Sequence, residues 1–121
     1  MIDHGIIPCE IASKSNARRW IPKARRFIKS SKALKFVEAA DAVLPSLVPL
    51  YEGPVSVVAR CYYATRRPDL DPQLLLDVLQ GRIFQNDRQV QELHAFKFID
   101  RSGGRVEWEV REAPPEWANE V

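Results

Sequence analysis

Cysteine is scarce in this chain. Its 121 residues hold two, Cys9 and Cys61, far apart and without Cys-X-X-Cys spacing, so neither a zinc site nor a disulfide framework has support, and both are expected as buried thiols. Histidine is equally rare. His4 and His94 lie outside the acidic cluster described below, and His94, beside Phe96 on an expected strand, reads as structural rather than as a ligand or general base. Long apolar runs are missing too, because charges break each of them, and Met1-Ile2-Asp3-His4 lacks the basic-then-apolar layout of a secretory signal. A cytoplasmic protein with no membrane association is expected. Internal repeats and low-complexity segments are also absent.

What remains is an ordinary globular balance, 45% hydrophobic and 28% charged, at a length suited to one compact domain. Residues 1–112 are expected to form it, with 113–121, from Ala113-Pro114-Pro115 onward, a loose tail. A domain of this size buries a modest share of its surface, so pairing into a homodimer would add stability.

The charge is unevenly spread. Residues 1–35 hold nine Lys and Arg (Lys14, Arg18, Arg19, Lys23, Arg25, Arg26, Lys29, Lys32, Lys35) against Asp3 and Glu10, which leaves nine basic and fourteen acidic residues behind them. A front of +7 on a rear of −5 suggests a polyanionic partner, since Lys and Arg at phosphates release condensed counterions. A solvated basic surface is the competing reading.

Ile6-Ile7-Pro8-Cys9-Glu10-Ile11-Ala12 suggests an early strand at an edge or bulge because of Pro8. Ser13 to Trp20, polar and basic, reads as a surface loop able to meet nucleic acid, with Trp20 also a candidate core anchor. Leu34, Val37, Ala40 and Leu44 recur at helical spacing after Ser30 or Ser31, predicting a helix over about 31–44 that Pro45 and Pro49 end. Val55 to Tyr63 is the best strand and is expected to be central. A second helix should begin at Pro72 with Asp71 as its cap, run through Leu74, Leu75, Val78 and Leu79, and stop at Gly81. Val90 to Ile99 and Arg105 to Arg111 are expected strands, joined by Ser102-Gly103-Gly104 as a hairpin.

The chemistry is carried by acids. Asp69 and Asp71 stand two apart at an expected strand end, where an extended backbone turns alternate side chains the same way with Cα atoms about 6.6 Å apart. Two carboxylates so placed repel one another unless a cation such as Mg²⁺ lies between them. Asp87, in the loop Gln85-Asn86-Asp87-Arg88 before a strand, is a candidate third ligand. Singly, each also reads as a turn or helix-cap residue.

Their order resembles the RusA family of Holliday-junction resolvases, whose members carry an Arg-rich Asp-Leu-Asp-Asn step, a helix ending in Leu-Asp-X-Leu, and Asp-Asp-X-Gln-Val. The matching residues are Arg66-Arg67-Pro68-Asp69-Leu70-Asp71, Leu76-Asp77-Val78-Leu79 and Asn86-Asp87-Arg88-Gln89-Val90. Ser13 to Arg19 and Ile28 to Ala33 are similar to phage members. The resemblance implies an α+β fold, a small mixed β-sheet packed with two main helices, in a homodimeric, Mg²⁺-dependent endonuclease that nicks opposing strands of four-way or branched DNA junctions. Mn²⁺ is the alternative ion. It implies Asp69, Asp71 and Asp87 as metal-binding catalytic acids, and Asp77 as a further family aspartate with packing or a salt bridge as its main expected use. Lys14, Arg18, Arg19, Lys29, Lys32, Arg66, Arg67 and Arg88 are the basic residues expected on the DNA backbone.

The chain departs from the family at two positions. Pro72 replaces an Asn, and Leu75 stands where the family has a catalytic Lys that places positive charge near the reacting phosphate. Lys97, Arg67 and Arg88 are the cations that could supply that charge, Lys97 on the condition that the expected hairpin pairs beside the first strand. Two other readings stay open: a junction-binding protein without turnover, and an unrelated interaction domain whose acids are caps and turns.

Overall fold

The structure, a computed structural model, describes residues 2–13, 18–21, 26–29 and 31–114, with the backbone alone for 18–21 and 26–29. Its elements are β1 (Ile2–Ile7), β2 (Arg18–Ile21), β3 (Arg26–Lys29), α1 (Ser31–Val43), β4 (Val55–Tyr63), α2 (Gln73–Leu79), β5 (Val90–Ile99) and β6 (Arg105–Glu112). A four-stranded mixed sheet runs β1-β6-β4-β5, and β2 and β3 form a separate antiparallel pair. The fold is α+β, as expected.

β4 decides the architecture. Alternate residues Val55, Val57, Ala59, Cys61 and Tyr63 are buried against α1 and α2. A strand with so apolar a face does best with a partner on each edge, and β4 has β6 antiparallel on one side and β5 parallel on the other. The parallel pair requires a crossover, which α2 provides. α2 lays Leu74, Leu75, Leu76, Val78 and Leu79 on the sheet, and α1 adds Ala33, Phe36 and Ala40.

The expected hairpin of β5 and β6 is therefore corrected. Ser102-Gly103-Gly104 does reverse the chain, but β4 lies between the two strands. The five residues from 100 to 104 span two strand spacings, roughly 9.6 Å, well within their reach. Asp100 anchors the step: its N–H donates to the Tyr63 carbonyl at 2.8 Å, and its carboxylate accepts from Ser102 and Arg105. Those donors, the Ser102 hydroxyl first, pull the Asp100 carboxyl down to about 2.

Three other expectations change. The early strand is Ile2–Ile7 and ends at Pro8, because pairing with β6 rather than local composition selects it. Within the expected loop of Ser13 to Trp20, Arg18 to Trp20 belong to β2, whose register with β3 a single basic stretch does not reveal; Lys14 and the Trp20 side chain lie outside the described residues. Pro72 is the N-cap of α2 and Gln73 its first helical residue, one position later than expected. Gly81 does end α2, with φ at +85°, where glycine avoids the strain of a Cβ. Both cysteines are free and buried. Of the expected tail, only Ala113 and Pro114 are described, and the Ala113 N–H donates to the Pro54 carbonyl at 2.9 Å.

The other face of the sheet is covered by neither helix. It carries Ile2, His4 and Ile6 of β1, Tyr62 of β4, Phe96 and Phe98 of β5, and the charges Arg60, Glu92, Arg105, Glu107, Glu109 and Arg111. Ile2, Ile6, Phe96 and Phe98 are exposed there. Tyr62 stacks on Phe98 with ring centroids 4.9 Å apart, and the Arg105 guanidinium lies 3.7 Å from the Tyr62 centroid.

The β5–β6 connection sits tightly on the segment after β1. A Cβ added at Gly104 would lie 2.4 Å from the Glu10 Cβ and 2.8 Å from its Cα. Gly104→Ala should therefore destabilise the fold by about 1–3 kcal/mol, the usual cost of overpacking. Gly53→Ala, with nothing within 4 Å, is the comparison, and equal melting temperatures for the two variants would contradict this account.

Candidate metal and DNA site

The segment leaving β4 carries the acid pair. Asp69 and Asp71 lie six and eight residues beyond Tyr63, in irregular backbone before α2 rather than at the strand end itself. Leu70 packs against the core between them, Asp69 is exposed and Asp71 half-buried.

Several side chains fix this step. Tyr63, only 1% exposed, donates its hydroxyl to the Asp69 carbonyl at 3.3 Å and also shares a hydrogen bond with the Asp71 backbone. Burial above all, with nearby negative charge, pushes the Tyr63 phenol up to about 12, so it stays a donor at neutral pH. The Asp71 carboxylate accepts from the Ser13 hydroxyl at 3.2 Å and from the Gln73 N–H at 3.0 Å. The second bond ties Asp71 to the first turn of α2, a cap-like role, although Pro72 holds the N-cap position.

Lys97 reaches the same segment from β5, where it pairs with Cys61 of β4. Its ammonium donates to the Arg66 carbonyl at 3.0 Å and to the Pro68 carbonyl, and lies 5.7 Å from the Tyr63 ring centroid. The hairpin through which Lys97 is expected to reach this region does not form, and β5 brings it here by pairing in parallel with β4.

Asp87 is placed elsewhere. It opens a 3-10 turn, Asp87–Gln89, and its N–H donates to the Gln80 side chain at 3.0 Å. Gln80 is the C-cap of α2, whereas Asp71 precedes the N-terminus of that helix. The seven residues of α2 put roughly 10 Å between the two ends. Among the described residues, no group of three or more His, Cys, Asp and Glu side chains stands where it could hold a metal.

The rest of that motif builds the turn. Asn86 accepts from the Arg88 N–H while Gln89 accepts from the Asn86 N–H, a reciprocal capping box. The Gln89 amide then donates to the Tyr51 and Gly53 carbonyls.

Leu75 is buried in the core at 0% exposure. A lysine there would have to bury its ammonium at a cost of several kcal/mol. Asp77 is exposed on α2.

Of the basic residues, Arg66, Arg67 and Arg88 are exposed near the two acidic segments. Lys32 is exposed and 3.5 Å from Glu10, whose other oxygen accepts the Ala64 N–H at 2.8 Å. Lys14 and the side chains of Arg18, Arg19 and Lys29 lie outside the described residues. His94 stands 3.0 Å from Glu92 on the uncovered sheet face, and His4 is opposite Glu109.

Sequence reasoning missed Ser13 and Tyr63. For Tyr63 a signal existed: it is the last inward position of β4, and a buried phenol needs a partner at its polar tip.

A family model described as endodeoxyribonuclease RusA matches residues 8–111. No curated protein matches the chain. The matched stretch contains the acid pair, Asp87 and the helix α2 that separates them.

Proposed function

The chain belongs to the endodeoxyribonuclease RusA family, and on that basis we propose that it is a Mg²⁺-dependent endonuclease that resolves four-way or branched DNA by paired nicks, as a homodimer in the cytoplasm. Membership implies a nuclease acting on DNA junctions. The observation that carries the finer reading is the Asp69-Leu70-Asp71 step, held by Tyr63, Ser13 and the first turn of α2.

This donor set fits a hard divalent ion. Mg²⁺ commonly takes one or two carboxylates and completes its shell with water and substrate phosphate, and Asp69 and Asp71 are two such carboxylates. When bound, Mg²⁺, or Mn²⁺ in its place, supplies Lewis acidity at the phosphate and a water of lowered pKa. Asp69 and Asp71 hold that charge against the DNA. Arg66 and Arg67, exposed beside them, contact the backbone, together with Arg88, Lys32 and the basic residues Lys14, Arg18, Arg19 and Lys29. Among the described residues, Lys97 is the lysine whose ammonium reaches the acid-bearing segment, bonding the carbonyls of Arg66 and Pro68, and Arg67 and Arg88 are the candidates for the charge that Leu75 does not supply at the phosphate.

Asp87 enters this reading through the homodimer. α2 parts it from the acid pair of its own chain, so the third carboxylate at each metal is Asp87 of the partner subunit. What supports pairing is the sheet face that neither helix covers, with Phe96, Phe98, Ile2 and Ile6 exposed on it. A two-fold pair would then offer two sites to a two-fold junction. The burial of Leu75 favours one competing reading, a junction-binding protein that does not cut.

Incubation with a labelled four-way junction and a matched linear duplex separates these readings. Paired nicks in Mg²⁺, none in EDTA or with Asp71→Asn, and affinity that falls steeply with salt are expected. Junction-selective binding without products in Mg²⁺ would establish the binding-only reading.

Mixing Asp71→Asn with Asp87→Asn tests the shared site. Heterodimers should regain nicking, because one site then has all three acids; if the mixture stays as inactive as its components, Asp87 acts within its own chain or not at all. Phe96→Glu should turn the dimer into monomers in analytical ultracentrifugation, and an unchanged dimer would move the interface off this face.

A further inference from the structure

We propose that Tyr63 and Lys97 are positioning residues for the metal-binding acids, clamping the backbone of residues 66–71 so that the carboxylates of Asp69 and Asp71 meet one ion. The inference rests on the metal reading above and assigns to Lys97 a different task from direct stabilisation of the phosphate.

The two side chains come from neighbouring strands and grip successive points of one segment. Lys97 takes the carbonyls of Arg66 and Pro68, and Tyr63 takes the carbonyl of Asp69 and the backbone of Asp71. Four of the six residues from 66 to 71 are thus tied to the rigid sheet. The clamp is also coupled within itself, because the ammonium lies 5.7 Å from the Tyr63 ring centroid, within reach of a cation–π attraction.

The segment needs such help. It is irregular and leads into a helix that begins only at Gln73, so neither a ladder nor a helix dictates its dihedrals. Two carboxylates brought together repel one another when the ion is absent, and the clamp opposes the splaying that would relieve that repulsion. The Lys97 contacts are made to carbonyl oxygens, so the carboxylates stay as donors for the ion.

Removing a group that orients metal ligands typically costs 10–100-fold in metal affinity or activity. Lys97→Met and Tyr63→Phe should therefore raise the Mn²⁺ concentration for half-saturation about 10-fold or more, read by Mn²⁺ electron paramagnetic resonance. Lys97→Arg, which keeps N–H donors, should stay near the parent. In metal-free protein the Asp71 amide should exchange faster in Tyr63→Phe, while melting temperatures and junction binding in EDTA stay close to the parent.

Unchanged Mn²⁺ half-saturation in both variants overturns the clamp. So does a fall in maximal nicking rate with metal affinity intact in Lys97→Met, which would assign Lys97 to the phosphate. If the parent binds no Mn²⁺, the metal reading fails on its own; amide exchange across residues 66–71 then decides the clamp, faster exchange in the two variants upholding it and unchanged exchange refuting it.

Discussion

The rest of the structure depends on the demand of β4 for cover. Its inward residues from Val55 to Tyr63 are buried almost completely, and each large apolar side chain so buried contributes about 1.5–3 kcal/mol relative to exposure. Satisfying both edges of that strand draws β5 to one side and β6 to the other. The parallel edge calls for a crossover, and α2 is the crossover. The acid-bearing segment lies where it does because the chain must leave the end of β4 and turn back over the sheet.

Much of this was legible in the sequence, and the particular failures have physical causes. α1, β4, α2, β5 and β6 fall within a residue or two of their expected bounds, since β-branched composition, helical spacing and a glycine stop are local signals. The hairpin failed because a Gly-Gly turn reports that the chain reverses, not which strands lie adjacent. β1 was misplaced by a few residues because its pairing with β6 is a long-range choice. At the site, the Asp69-Leu70-Asp71 step was readable as a candidate, but the attachment of Asp87 to the far end of α2 through Gln80 was not, because it is set by the length and direction of that helix. Tyr63 and Ser13 were hidden by ordinary composition, and what makes them matter is the carbonyl and the carboxylate that the fold brings to them.

Two kinds of residue thus share the family's motifs. Asn86 and Gln89 spend their hydrogen bonds on shaping the turn before β5 and fastening it to Tyr51 and Gly53. Asp69, Asp87, Arg66, Arg67 and Arg88 are left exposed. The division follows from chemistry. Neutral amides can both donate and accept, which suits closing a turn, while carboxylates and guanidinium groups are costly to bury and keep their charge for what arrives from outside.

The separation of Asp71 from Asp87 by α2 has a bearing on cellular safety. On the proposed reading, a lone protomer brings only two of its three acids to any one site, and a newly made chain is harmless to the DNA around it. Dimer population rises more steeply than protomer concentration, so cutting capacity would switch on over a narrow range of synthesis. A short helix, placed to complete a sheet, would in that case also set the dose at which the enzyme becomes active.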